Sequence, residues 1–157
     1  MDALKNTAYC GLYCRLCSNM SRIPRLAGGL RDVMARDGWE VYGELIEPDF
    51  RTFWAALGRL SRLEEECPGC RGGCGDDECA IRICARERNT DLCPLCDEFP
   101  CSRIEALATW YPNLIADGRR LQRIGLETWA AEQERRRETG FCLSDIRFPP
   151  GGDGKPN

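Results

Sequence analysis

Apolar side chains recur at helical spacing in two stretches of the first half of the chain. The first stretch begins after Ser21 and has Pro24 in its first turn, which is typical of a helix start. The second follows Asp49, a residue type that often caps helices. The two stripes consist of Ile23, Leu26, Ala27, Leu30 and Val33, and of Phe50, Phe53, Trp54, Leu57 and Leu60. This pattern predicts a helical insert over about residues 21–66, with its aromatic side chains in the core.

Two adjacent glycines interrupt the first stripe. Gly28 and Gly29 lower the helix propensity at a place where the surrounding pattern is still helical. We therefore expect another backbone to approach this helix closely at the glycine pair.

The last third of the chain carries a helical pattern over about residues 101–140. Its apolar positions are Leu107, Trp110, Tyr111, Leu114, Leu121, Ile124, Trp129 and Ala130. Pro112 and Gly125 should divide this stretch into separate helices. The spacing assigns Trp110, Leu121 and Trp129 to packing rather than to a ligand site. A further short helix is predicted over about residues 79–89.

These patterns predict a mainly α-helical protein. We expect a small, irregular, cysteine-rich fold with packed helices and few or short β elements. The length indicates a single domain over residues 1–142. Residues 143–157 end in a stretch rich in proline and glycine and should form a flexible tail.

Cysteine is the residue type that sets this chain apart. Twelve of its 157 residues are cysteine and none is histidine. Three C-x2-C pairs occur: Cys14 with Cys17, Cys67 with Cys70, and Cys93 with Cys96. A tight turn between two such cysteines directs both sulfurs at one tetrahedral ion, as in structural zinc sites. The sequence therefore predicts metal centres formed by thiolates, with a carboxylate as the alternative further ligand.

Ten cysteines are candidate metal ligands, which is enough for at least two centres. They are Cys10, Cys14, Cys17, Cys67, Cys70, Cys79, Cys84, Cys93, Cys96 and Cys101. Cys74 and Cys142 lie apart from the pattern, and we expect each to be a free thiol.

Two schemes for sharing these ligands remain open. Loop-closure entropy favours ligands that are near in sequence, which groups Cys67 and Cys70 with Cys79 and Cys84. In that scheme the three later thiols, Cys93, Cys96 and Cys101, share an ion with thiols from Cys10, Cys14 and Cys17. A ribbon-like scheme instead completes the Cys67 and Cys70 pair with Cys93 and Cys96.

Zinc is the metal we expect, with an iron–sulfur cluster as the alternative. The spacing Cys10-x3-Cys14-x2-Cys17, with a distant fourth ligand such as Cys101, could also hold a [4Fe–4S] cluster. A zinc protein of this kind would be an interaction or regulatory module. An iron–sulfur protein would take part in electron transfer or redox sensing.

Five sequence motifs follow one another along the chain: CGLYCRLC, CPGC, CAIRICARERN, CPLCDEFPC and LQRIGLETWAAEQ. Their order resembles the cysteine-rich family called domain of unknown function 3795. The resemblance extends from about Tyr9 to Gln133, although residues 21–66 carry no distinctive motif. That family occurs in bacteria and archaea and is regarded as metal-binding, so the resemblance implies metal binding and no particular reaction. Cys74 and Cys142 lie outside its pattern.

Charge and composition narrow the function further. The net charge is −3, and acidic residues outnumber basic ones between Cys67 and Cys101, which disfavours a nucleic-acid partner. We find no nucleophile–base pairing and no histidine, so the sequence favours a binding role over catalysis and indicates no catalytic residues. The first residues lack the apolar run of a signal peptide and no stretch suits a membrane span. We therefore expect a cytoplasmic protein whose partner is another protein.

Overall fold

Helices dominate the fold. The computed structural model of the protein describes residues 2–147. Within that range the helices are α1 (Arg22–Arg36), α2 (Trp39–Ile46), α3 (Phe50–Leu60), α4 (Leu63–Glu66), α5 (Ala80–Glu87), α6 (Ser102–Ala108), α7 (Leu114–Ile124), α8 (Leu126–Glu138) and α9 (Ser144–Arg147). Among the described residues the β pairing is limited to one antiparallel bridge between Thr7 and Tyr13. The prediction of a mainly α-helical, cysteine-rich fold is confirmed.

Helix boundaries follow the predicted signals closely. Asp49 precedes α3, and the predicted short helix of residues 79–89 is α5. Pro112 lies between α6 and α7, and Gly125 separates α7 from α8 with a φ of 80°. No helix in the described part of the chain is long and apolar enough to cross a membrane.

The chain divides into two compact units. One unit, which we call the insert unit, consists of Ser18–Cys67. The other, which we call the thiol unit, contains the residues up to Cys17 and those from Pro68 onward. The helical insert predicted at about 21–66 therefore nearly coincides with the insert unit.

The core of the insert unit forms where α1 packs against α3. Its buried side chains are Ala27, Met34, Phe50 and Leu57, with Trp39 and Trp54 packed against them. Phe50 stacks on Trp54 with ring centroids 5.5 Å apart. Part of the predicted stripes faces outward instead, because the buried face of α1 is centred on Pro24, Ala27 and Met34. The exposed members are Leu26, Leu30, Val33, Phe53 and Leu60.

Close approach to a glycine occurs at Gly43, not at the pair in α1. A Cβ on Gly28 would meet only the Ser61 Cβ at 3.8 Å, and a Cβ on Gly29 would meet nothing within 4 Å. The expectation of a backbone against this pair is wrong, since the facing surface is a side chain at ordinary contact distance. A Cβ on Gly43 would lie 2.6 Å from the buried Phe50 ring.

Alanine substitutions at Gly29 and Gly43 should have opposite effects on stability. Gly29→Ala should raise the free energy of unfolding by about 0.5–1 kcal/mol, because alanine loses less conformational entropy than glycine in a helix. Gly43→Ala gains the same propensity but overlaps with Phe50, so it should lower the free energy of unfolding. Urea unfolding of both variants tests this. Equal effects would contradict the close contact.

The core of the thiol unit is built around Trp129 and Tyr13. Trp129 is 1% exposed, and its ring meets that of Tyr13 edge-on at 5.8 Å. The Tyr13 hydroxyl donates to Glu134 at 2.9 Å. Leu16, Leu92 and Leu121 complete the cluster together with Ala3 and Ala130. Trp129 and Leu121 are therefore packing residues, as predicted, whereas Trp110 is half-buried beneath the Arg147 guanidinium.

Ordered structure continues past the predicted start of the tail at residue 143. The Leu143 N–H donates to the Leu16 carbonyl at 2.9 Å, and Ser144–Arg147 form α9. The flexible-tail prediction is therefore wrong for residues 143–147, because Leu143 also packs against the core of the thiol unit. The rest of the predicted tail, 148–157, lies outside the described residues.

Trp129→Ala should lower the free energy of unfolding by about 3–5 kcal/mol, because it leaves a cavity beside Tyr13. Trp110→Ala is the control, since its ring is partly exposed and its loss should cost much less. Urea unfolding followed by circular dichroism gives both values. Similar losses for the two variants would contradict the assignment of Trp129 to the core.

Candidate metal centre

The amino-terminal cysteines lie in a tight backbone turn. Ala8 N–H donates to the Leu12 carbonyl at 2.8 Å, and Cys14 N–H donates to the Asn6 carbonyl at 2.8 Å. Cys14–Leu16 then form a 3₁₀ turn that Cys17 closes by donating to the Cys14 carbonyl at 2.9 Å. This C-x2-C segment thus has the local turn that its sequence predicts.

A second 3₁₀ turn follows the buried Leu92. It covers Cys93–Leu95, with Pro94 inside it, and the Cys96 N–H donates to the Cys93 carbonyl at 3.0 Å. The Gln122 amide donates to the Pro94 carbonyl at 2.5 Å, which fixes the turn to α7. The turn therefore has support from both the core and a neighbouring helix.

The two turns meet directly. Cys93 N–H donates to the Tyr9 carbonyl at 2.7 Å. Gly11 has a φ of 94°, and a Cβ on it would lie 2.9 Å from Pro94 Cγ. Glycine at this position thus allows both the backbone conformation and the close approach of the two turns.

Four thiols surround one small cavity in the thiol unit. Cys84 comes from α5, Cys93 and Cys96 from the second turn, and Cys101 from the residue before α6. The cavity has a volume of about 30 Å³. Its lining includes both cysteines of the C-x2-C pair, together with Cys84, which precedes the pair in sequence, and Cys101, which follows it.

Two arginines lie at the edge of this cavity. Arg103 Nη1 is 3.8 Å from Cys84 Sγ, and Arg88 Nη1 is 4.0 Å from Cys96 Sγ. Arg88 also forms an ion pair with Glu98 at 2.7 Å, which raises the pKa of its guanidinium. Donors of this kind stabilise thiolates, so both arginines favour negative charge on the sulfurs.

The pKa values of two thiols report crowding and burial. Burial is the main cause that raises the pKa of Cys93 to about 12, and the neighbouring thiols of Cys101, Cys96, Cys84 and Cys79 add to the shift. Burial likewise raises the pKa of Cys10 to about 12. Thiols in such surroundings keep their protons at neutral pH, and metal binding would have to displace them.

The thiols line the cavity without converging on one point. Within residues 2–147, no three cysteine or carboxylate side chains stand close enough together to form a metal-binding group as they are. A cysteine side chain has a single torsion, and staggered positions of that torsion are close in energy. The donor set and the cavity size therefore suit one ion if the sulfurs turn inward.

A second group of thiols lies next to the first. Three neighbouring thiols add to the raised pKa of Cys10, and they belong to Cys70, Cys93 and Cys14. A Cβ on Gly69 would lie 3.9 Å from Cys14 Sγ, so the segment that contains Gly69 and Cys70 is in contact with the amino-terminal turn. Cys10 is thus near Cys93, and the two groups are neighbours.

Arg71 connects the glycine-rich loop, residues 68–78, to the amino-terminal turn. Its Nε donates to the carbonyls of Leu4 at 2.8 Å and Thr7 at 3.1 Å. Its guanidinium lies over the Tyr9 ring, 4.4 Å from the centroid. Because Arg71 follows Cys70 directly, these contacts hold Cys70 near the amino-terminal thiols.

Arg82 organises the same loop from the other side. It is buried in α5, and its guanidinium donates to the carbonyls of Cys70 at 3.2 Å, Cys74 at 3.1 Å and Asp76. Cys84 lies on the same helix and lines the cavity. One helix therefore positions residues of both thiol groups.

The structure groups the thiols differently from the first scheme, in which ligands near in sequence share an ion. Cys84 lines the cavity with the three later cysteines, whereas that scheme placed it with Cys67 and Cys70. Chain entropy changes only slowly with loop length, so the packing of α5 against α6 decides the grouping. The Cys79 thiol contributes to the raised pKa of Cys93, so Cys79 also lies near the cavity.

The remaining predicted ligands take different positions. Cys17 lies near the Tyr111 hydroxyl, as does Cys10. Cys67 is the last residue of the insert unit, so its sharing of an ion with Cys70 stays a prediction from the C-x2-C spacing. Cys74 lies in the glycine-rich loop held by Arg82, and Cys142 is buried with the Ser144 hydroxyl 3.2 Å from its sulfur.

Sequence reasoning missed the arginines around the thiols. Arg82, Arg88 and Arg103 were not among the candidate site residues, although each contacts a cysteine or the loop that carries one. A usable signal existed for Arg82, because it lies three residues after Cys79 and three before the buried Ala85. No comparable signal marks the other two, which are exposed.

The helical fold and the neighbouring thiol groups define a cysteine-rich α-helical protein with a thiol-lined cavity. A sequence comparison gives the family. The chain belongs to the family described as "Protein of unknown function (DUF3795)", whose profile matches residues 6–106. No curated protein and no solved structure matched the chain.

Arg82→Met should lower the free energy of unfolding by about 1–3 kcal/mol, because it leaves buried carbonyls without donors. The amides of residues 72–74 should also exchange faster with solvent. Glu87→Met is the control, since Glu87 is exposed on the same helix. If both variants match the wild type in hydrogen exchange over the loop, Arg82 does not hold it.

Proposed function

We propose that this protein binds zinc as a structural ion through thiolates, with Cys84, Cys93, Cys96 and Cys101 as the ligands of one centre. The observation that carries the proposal is the cavity of about 30 Å³ that these four thiols line. Four thiolates form the closed tetrahedral set of structural zinc sites.

The local chemistry supports a bound cation. Four thiolates around Zn²⁺ carry a formal charge of −2, and Arg88 and Arg103 lie close enough to two sulfurs to offset it. Without a cation the Cys93 thiol stays protonated at neutral pH, because burial and the neighbouring thiols raise its pKa to about 12. A divalent ion thus fits the donor set better than free thiolates do.

The size of the cavity favours zinc over an iron–sulfur cluster. A single ion needs little more room than a water molecule, and about 10–15 Å³ is enough for a water. A [4Fe–4S] cube contains eight atoms and needs several times the volume of one ion. The iron–sulfur alternative, with a role in electron transfer or redox sensing, is therefore the outcome that the experiment below is designed to detect.

We assign a second centre to the amino-terminal thiols. Cys10, Cys14 and Cys70 are its core members, since the thiols of Cys70 and Cys14 are close enough to raise the pKa of Cys10. Cys17 completes the first C-x2-C pair and is its further candidate, whereas a role for Cys67 stays a prediction from the C-x2-C spacing. Because the Cys93 thiol also contributes to the raised pKa of Cys10, the two centres would be neighbours.

A closed thiolate–zinc site indicates a module that binds other proteins rather than an enzyme. Zinc has no redox chemistry, and a site with four protein ligands has no open position for a substrate. Its contribution is to folding, on the order of 10 kcal/mol or more for a structural site. Reduced thiols of this kind persist in the cytoplasm, where we place the protein.

Serine substitution within the cavity should remove one zinc ion per chain. Cys84→Ser, Cys93→Ser and Cys96→Ser should each lose the same ion, because each removes one ligand of a shared site. Elemental analysis of protein purified without oxygen gives the metal content. Ile83→Ser is the matched control, since it places serine at the exposed neighbouring position of the same helix and should keep the full zinc content.

The double variant Cys84→Ser with Cys96→Ser should lose no more zinc than either single variant. Full zinc content in the single variants would contradict this ligand set. Iron and inorganic sulfide in the wild-type protein, with the brown colour of a cluster, would contradict zinc and support the alternative.

A further inference from the structure

The insert unit exposes more large apolar side chains than its own core requires. The solvent-exposed apolar side chains on α1, α2 and α3 are Leu26, Leu30, Val33, Val41, Leu45, Ile46, Phe53 and Leu60. Exposed apolar residues scattered singly are ordinary, but groups of them on helix faces mark interaction surfaces. Nothing in the proposed zinc chemistry uses these side chains.

The exposed face of α1 carries an apolar stripe with a basic edge. Leu26, Leu30 and Val33 follow one another at helical spacing on the side away from the core. Arg25 and Arg36 are exposed and lie beside the stripe on the same side of the helix. Arg22, which is half-buried, also lies on this side of the helix. The acidic residues there are Asp32 and the C-cap residue Asp37, so basic residues outnumber acidic ones by three to two.

The exposed face of α2 carries a shorter stripe with an acidic edge. Val41 is 91% exposed and Leu45 is 87% exposed, one turn apart. Glu40 and Glu44 lie beside them on the solvent side, and Glu47 follows the helix. Glu44 forms an exposed ion pair with Arg51 at 2.8 Å.

The two stripes complement each other in charge. We propose that the insert unit pairs with a second copy of itself, with the α1 stripe of one copy packed against the α2 stripe of the other. A two-fold axis repeats the contact, so that each copy contributes both stripes. The apolar rows then bury each other, and the basic edge of α1 meets the acidic edge of α2.

A second copy suits both edges better than an unrelated partner does. An acidic partner helix would complement α1 alone, and a basic one would complement α2 alone. The unit itself supplies one helix of each kind, so a second copy complements both stripes with no other component. Val41 and Leu45 contribute almost nothing to the packing of the single copy, which leaves their exposed surface for the interface.

Oligomeric state measured by light scattering on a size-exclusion column tests the pairing. The wild-type protein should elute as a dimer at high micromolar concentration. Val41→Asp combined with Leu45→Asp should give a monomer with unchanged helix content, because both side chains are exposed in the single copy. Thr52→Asp is the matched control on exposed α3 surface and should remain a dimer.

Charge reversal tests the complementarity itself. Arg25→Glu with Arg36→Glu should weaken the dimer, and so should Glu40→Lys with Glu47→Lys. Combining all four substitutions in one chain should restore dimerisation, because the edges then match again with exchanged signs. Failure of the combined variant to regain the dimer would overturn the pairing of these edges.

Two further results would overturn the proposal. One is a wild-type monomer at all accessible concentrations, which would leave the stripes to a different partner. The other is a dimer that persists in the Val41→Asp, Leu45→Asp variant. The Cys84→Ser protein should still dimerise, so a failure of zinc binding and a failure of self-association are distinguishable.

Discussion

The hydrogen bond from the Cys93 N–H to the Tyr9 carbonyl is the constraint on which the thiol arrangement depends. It joins two segments that the whole insert unit separates in sequence. Gly11 allows Pro94 to approach the amino-terminal turn, and Arg71 then brings the glycine-rich loop to the same place. The result is that Cys10 lies beside both Cys93 and Cys70. This junction and α5, which carries both Arg82 and Cys84, together fix the relation between the two groups of thiols.

Much of the helical framework could be predicted because its signals are local. Asp49 marks the start of α3, and Gly125 separates α7 from α8. The outward rotation of the α1 stripe could not be predicted, since Pro24 and Met34 draw the buried face to one side of the apolar pattern. The short α2 gave no separate signal, because its side chains Val41 and Leu45 face solvent rather than a core.

The identity of the thiols could be predicted better than their grouping. C-x2-C spacing is a property of a few neighbouring residues, and the turns at Cys14 and Cys93 have the expected form. Grouping depends on how α5 packs, and loop-closure entropies that differ by only tenths of a kcal/mol cannot decide it. The arginines near the sulfurs were equally out of reach, because sequence does not show where a long side chain such as that of Arg103 will point.

The placement of the insert unit between Cys17 and Pro68 has a consequence for protein synthesis. The ribosome releases the chain from its amino terminus at about 5–20 residues per second, and domains tend to fold as units during synthesis. Cys10, Cys14 and Cys17 therefore leave the ribosome several seconds before Cys93, and the insert unit is complete in the interval. During that time the first thiols are without their later neighbours. During this stage the amino-terminal thiols can bind a metal ion only with one another. The order of synthesis, and not the metal affinity of the folded protein, then decides which thiols share an ion first.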